Sequence, residues 1–173
     1  MKKLVFVLLA IIVCFSCVAC GARDYVLNEN TLFLVMTNIQ YYPENYLQSN
    51  IEFDCFTYEL VDVNGTSYTC GVRKCSSGYG CTCGNDTIIG FVLECEEQLP
   101  EPKNQSADTN DKTWVHLSGK VKSANKIKIE INSYLADGSI DPTKTEQIEL
   151  LVFVVNSFEL IEDYSNLAYY VTD

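Results

Sequence analysis

Short segments in which apolar and polar residues alternate recur along the chain, and no long stretch repeats at the helical period. In residues 51–60 (IEFDCFTYEL), Ile51, Phe53, Cys55, Thr57 and Glu59 alternate with Glu52, Asp54, Phe56, Tyr58 and Leu60, the period of a half-buried strand that turns Cys55 inward with Phe53. Asn64-Gly65 is a hairpin-turn signal and returns residues 67–74 (SYTCGVRK) alongside that strand. Residues 87–95 (TIIGFVLEC) form an unbroken apolar run, read as a central strand in which Gly90 permits a bulge or a close approach. Residues 114–122, 126–134 and 146–161 read as three more strands, with Asp137-Gly138 and Asp141-Pro142 marking turns between the last two. Ahead of these, residues 32–39 (LFLVMTNI) read as a strand and residues 43–48 (PENYLQ) as one short helical turn opened by proline. Residues 96–112 have two prolines and no apolar period, which predicts a loop or a short mobile insertion. Such a set of strands specifies an all-β barrel or sandwich with one short helix before the main strands.

The chain opens with MKK and then runs without a charge from Leu4 to Ala19, the layout of a secretion signal. A permanent span needs roughly 20 apolar residues, and this run stops earlier, at CGARDY. The residues around Cys20 (Cys17, Val18, Ala19, then Gly21) resemble a bacterial lipoprotein box, which implies acylation of the Cys20 sulfur and a membrane anchor. The acyl chains of such an anchor contribute about 0.8 kcal/mol per buried methylene. An ordinary cleaved signal, with Cys20 as one more disulfide partner and the protein secreted, is the alternative. The division that follows is 1–19 signal peptide, 20–31 tether, 32–163 β domain and 164–173 C-terminal tail.

Of nine cysteines, Cys14 and Cys17 leave with the signal and Cys20 carries the lipid. Cys55, Cys70, Cys75, Cys81, Cys83 and Cys95 remain, an even set that can pair completely outside the cytosol, although sequence does not choose the connectivity. The formal net charge is −11, and loss of Lys2 and Lys3 with the signal makes the mature chain more acidic. A surface of that sign repels a polyanion, so nucleic acid is excluded as a partner.

The order of landmarks in TNIQYYPENYLQSNIEFDCFTYEL, VRKCSSGYGCTCGNDTIIGFVLE and TWVHLSGKV resembles a family of small lipoproteins of Gram-positive bacteria with a glycine-rich, CCGND-type cysteine loop. It is also similar to the soluble C-terminal domain of a two-subunit bacterial permease linked to zinc-responsive regulation. The resemblance covers about Thr37 to Val121 and implies an OB-like small barrel. In this chain Thr82 separates the two loop cysteines, and Cys70 and Cys75 are added.

The loop itself admits three chemistries. Cys81 and Cys83, with Asp86 as carboxylate ligand or second partner and Cys75 or Cys70 closing the set, offer the roughly four donors that zinc takes tetrahedrally. Oxidation instead gives disulfides that brace the loop. A low-pKa thiol at Cys81 or Cys83 would give exchange chemistry, favoured by the nearby Arg73 and Lys74. His116 is the only histidine and sits on a strand with Val115 and Leu117 facing the other way, a structural position more than a ligand's. No catalytic motif is present, so the chain reads as a lipid-anchored extracytoplasmic binding or accessory module and not an enzyme, with zinc handling beside a transporter as one use. A disulfide-braced structural or adhesive envelope protein and a thiol oxidoreductase are the alternatives.

Overall fold

A computed structural model describes residues 23–75, 87–106, 108–135 and 139–171. Its strands are β1 Asp24–Val26, β2 Asn50–Val61, β3 Ser67–Cys75, β4 Thr87–Glu94, β5 Trp114–Val121, β6 Ile127–Tyr134, β7 Ile140–Leu150, β8 Val152–Leu160 and β9 Tyr170–Val171, with one α-helix, α1, at Leu32–Tyr41. Five of the strands close a ring: β2 pairs with β3 and β5, β3 with β4, β4 with β8, and β8 with β5. All of these pairings are antiparallel except β4 with β8. The fold class is the expected one, an all-β, OB-like barrel with one short α-helix ahead of the barrel strands, and the helical turn expected at residues 43–48 is a single 3-10 turn at Pro43–Asn45.

Alternation fills the barrel. Phe53 and Cys55 on β2, Phe91 and Leu93 on β4, Val115 and Leu117 on β5, and Phe153 and Val155 on β8 all point inward and are buried. The rings of Phe53 and Phe91 meet edge to face at 5.9 Å, and Phe153 lies 5.4 Å from each. Asn64-Gly65 turns the β2–β3 hairpin, with Gly65 at φ 82°. Gly90 serves a close approach: a Cβ there would lie 2.2 Å from the carbonyl oxygen of Gly71.

Three local expectations are corrected. Residues 32–39 are helical: Leu32, Met36 and Ile39 form one buried stripe that joins the barrel core, and this burial overrides the β propensity of the segment. Asn28 starts the helix by accepting from the backbone N–H groups of Asn30 (3.0 Å) and Thr31 (3.2 Å), and Pro43 ends it. The run 146–161 is two strands, broken at Leu151, whose buried side chain marks the passage from the β6–β7 hairpin into the barrel. Asp141-Pro142 lies within β7, at an irregularity opposite Asn132–Tyr134, where the missing N–H of proline is harmless on a free edge. Residues 96–112 are a loop, as expected, and it is tied down. Thr113 Oγ1 donates to the Glu101 carbonyl at 2.8 Å, Lys112 donates to the Asn104 carbonyl, and Tyr164 Oη donates to Asp111 at 2.9 Å. Asp137-Gly138 lies outside the described residues.

The boundaries drawn for tether and tail also shift. Residues 24–26 pair parallel with the start of β2, and residues 170–171 pair parallel with the end of β3. They do so because β2 and β3 part: β2 pairs with β3 only from Phe56 onward, leaving a fork below. Arg73, fully buried, fills it. Its guanidinium donates to the Asp54 carbonyl (3.2 Å), to both oxygens of Glu29 (2.8 and 3.0 Å) and to the Ala168 carbonyl, and its Cζ lies 4.9 Å from the centre of the Trp114 ring. One side chain therefore joins β2, the segment before α1, the C-terminal segment and β5. Arg73→Met leaves those acceptors without a donor and should lower the unfolding free energy by about 3 kcal/mol. Glu29→Gln, keeping an acceptor, should cost less; urea unfolding of the two variants measures both.

Candidate functional site

Cys20, Cys81, Cys83 and Asp86 lie outside the described residues. Cys55, Cys70, Cys75 and Cys95 are described and carry free thiols. These four do not share one rim of the barrel. Cys55 and Cys75 point into the barrel core, Cys70 belongs to a second cluster on the opposite face of β3, and Cys95 follows the far end of the strand that starts beside Cys75. The cause is the strand period: Cys70 and Cys75 are an odd number of residues apart, so the pleat sends them to opposite faces. Among the described residues no three His, Cys, Asp or Glu side chains are grouped to hold a metal.

Burial makes the Cys55, Cys70 and Cys75 thiols weak nucleophiles. Desolvation raises the Cys55 pKa, with Arg73 pulling it down and Asp54 pushing it further up. Burial alone pushes Cys70 up to about 12, and it takes Cys75 up to about 11 against the pull of Arg73. A reactive cysteine needs the reverse environment. His116, half-exposed on the outer face of β5, has its Nδ1 2.7 Å from Asp54 Oδ1 on β2, the satisfied structural position expected for it.

The geometry points elsewhere, to the outer face of the barrel. β6 and β7 form a two-stranded arm, inserted between β5 and β8, that lies across β2, β3 and β4. Ile127, Ile129 and Ile131 alternate toward the barrel from β6, and Ile148 and Leu150 do so from β7. The Val63 N–H, in the β2–β3 turn, donates to the Glu130 carbonyl at 2.9 Å and holds the arm down. Arm and barrel do not meet completely. Tyr58, Leu60, Cys70, Val72, Ile88, Gly90 and Phe91 below, with Ile131, Ile148 and Leu150 above, line a cleft of about 300 Å³. That volume is at the lower end of small-ligand sites.

The cleft is apolar, with two polar handles. Tyr58 is half-buried, and desolvation raises its phenol pKa, with Tyr134 and Cys70 adding to the rise. The Cys70 thiol donates weakly to the Tyr68 carbonyl at 3.7 Å. At one side Gln40 Nε2 donates to the Gly90 carbonyl at 2.9 Å, tying α1 to β4. The strand read at residues 126–134 is β6, whereas the arm's second half was placed inside the single strand read at 146–161. The alternation of Gln147 and Glu149 with Ile148 and Leu150 was the signal that a one-faced strand precedes the two-faced run after it. Among the aromatic side chains, Phe53, Phe56 and Trp114 are buried, while Tyr41 and Tyr42 are exposed.

Fold and cleft together define a lidded OB-like barrel, a class in which the outer face of the second and third barrel strands is the usual place for a ligand. Comparison with protein-family models, with curated proteins and with solved structures finds no match.

The raised thiol pKa of Cys70 has a pH consequence. In the unfolded chain the group ionises near 9, and in the folded protein near 12. Its contribution to stability is therefore complete below pH 9 and is lost as pH rises from there toward 12. The fall in urea midpoint between pH 8 and pH 10.5 should be smaller in Cys70→Val than in the wild-type protein.

Proposed function

We propose that this protein is an extracytoplasmic binding or accessory module, held to the membrane through Cys20, whose barrel takes an apolar group into the cleft beneath the β6–β7 arm. The observation that carries the reading is the cleft itself: the face on which OB-like barrels bind is lined here by Val72, Ile88 and Cys70 and roofed by Ile131 and Ile148. Extended polar chains such as oligosaccharides find no open platform there, because the arm lies over it. One apolar side chain of a partner, or one small hydrophobic molecule, matches a space of about 300 Å³. A transporter subunit or another envelope protein is the class of partner that such an accessory module would serve.

Binding of the dye N-phenyl-1-naphthylamine, followed by its fluorescence, tests this. The wild-type protein should bind one dye per chain, and Ile148→Phe, which fills the cleft from the arm side, should weaken binding by about tenfold. Equal binding by both proteins, or none by either, removes the cleft from the proposal.

Zinc held by Cys75, Cys81, Cys83 and Asp86 is a second reading, supported by one register: Cys75 pairs with Thr87, the residue that follows Asp86 in the chain. On this reading zinc should protect at least two thiols of the native protein from alkylation, and chelator should restore their reaction. Unchanged thiol counts with and without the metal would leave disulfide bracing or free thiols in its place.

A further inference from the structure

The chain ahead of β1 and the outward face of α1 lie at one end of the barrel. β1 runs parallel to β2 with Asp24 opposite Asn50, so the chain arrives where β2 begins. β5 ends and β8 starts at that same end. Ile51, Val121 and Leu151, from these strand ends, share a core with Leu32, Met36 and Ile39 of α1, so the helix closes this end.

Among the described residues, nothing covers the other side of the helix. Leu34 is 63% exposed and Tyr41, two turns further on, is 74% exposed, with Tyr42 at 56% beside it. No residue of α1 (LFLVMTNIQY) is charged, in a chain of net charge −11. A surface helix of a water-soluble protein ordinarily carries its charges on this face. Leucine and tyrosine there suit the boundary between acyl chains and headgroups, where a ring can bury its body and wet its hydroxyl.

Chain length supplies the occupant. Residues 21–23 alone separate Cys20 from β1. At about 3.5 Å per residue, an acylated Cys20 keeps the start of β1 within about 14 Å of the lipid. We infer that α1 lies against the outer surface of the bilayer that holds the anchor, with Leu34, Tyr41 and Tyr42 at headgroup level. The inference rests on the acylation of Cys20 proposed above. It orients the molecule: the arm begins at the membrane end and passes Glu130, bonded to the β2–β3 turn, so its exposed Tyr134 and Leu135 belong to the end away from the lipid.

The test uses full-length acylated protein, extracted from membranes and reconstituted into phosphatidylcholine–phosphatidylglycerol vesicles with brominated acyl chains. Trp114, the single tryptophan, is buried and gives a constant background. In Tyr41→Trp and, as a second variant at the same face, Leu34→Trp, the added emission should be quenched about twofold or more by the brominated lipid. In Tyr134→Trp it should not change. Proteins that float with the vesicles but show no quenching at either helix position overturn the inference while leaving the anchor standing. Failure to float overturns the anchor reading and this inference with it. Shielding of both helix tryptophans from aqueous iodide without lipid quenching would put a second copy of the chain on the face, which also overturns it.

Discussion

The buried guanidinium of Arg73 is the interaction on which the arrangement of this barrel depends. A closed ring of five tilted strands leaves strand ends that cannot all pair with their neighbours, and here β2 and β3 separate below Phe56. The parted edges expose carbonyls that need donors. Short terminal strands take up part of the edge on each side, and Arg73 supplies donors at the centre, to Asp54, Glu29 and Ala168 at once. Arginine suits the place because its planar fork reaches several acceptors from one fixed position and its flat face rests on Trp114. Through that contact the fork is coupled to the second hydrophobic cluster, where Trp114 meets Phe56 at 5.4 Å and Tyr164 at 6.4 Å.

That second cluster is what separates this barrel from a bare five-stranded one. An insertion between β5 and β8 folds back as a β-hairpin and covers the outer face with isoleucines. The covering leaves a confined apolar space where other barrels of this shape offer an open face. On the proposed reading, recognition moves from stacking and hydrogen bonding along a chain to the burial of a single apolar group, worth about 25 cal/mol for each Å² removed from water. The helix does for the barrel end what the arm does for its side, and it leaves its own outer surface apolar.

Much of the strand set was legible because period-two alternation and the Asn64-Gly65 turn are local signals, and they placed β2 through β6 within a residue or two. The helix was misread for a physical reason. LFLVMTNI carries no charged residue to mark an outer face, so its three-residue and four-residue spacings are hidden in an almost uniformly apolar string. The break at Leu151 was hidden in the same way, inside a run of apolar residues that passes from one sheet to another. The placement of the cysteines carries no such local signal. Three of the four that the structure describes sit on strands, where their orientation follows from the pleat and the register and not from their closeness in the sequence.

The sequence by itself determined the fold class, the inward direction of Cys55 and Phe53, and the strongly acidic balance of the chain, because each of these is set by local periodicity or by counting. Tertiary structure decided which edges close the ring, that residues 24–26 and 170–171 belong to the sheet, and that the β6–β7 hairpin folds onto the barrel. Those outcomes depend on pairing between strands far apart in the chain and on the unmet carbonyls at a fork, which no local pattern records.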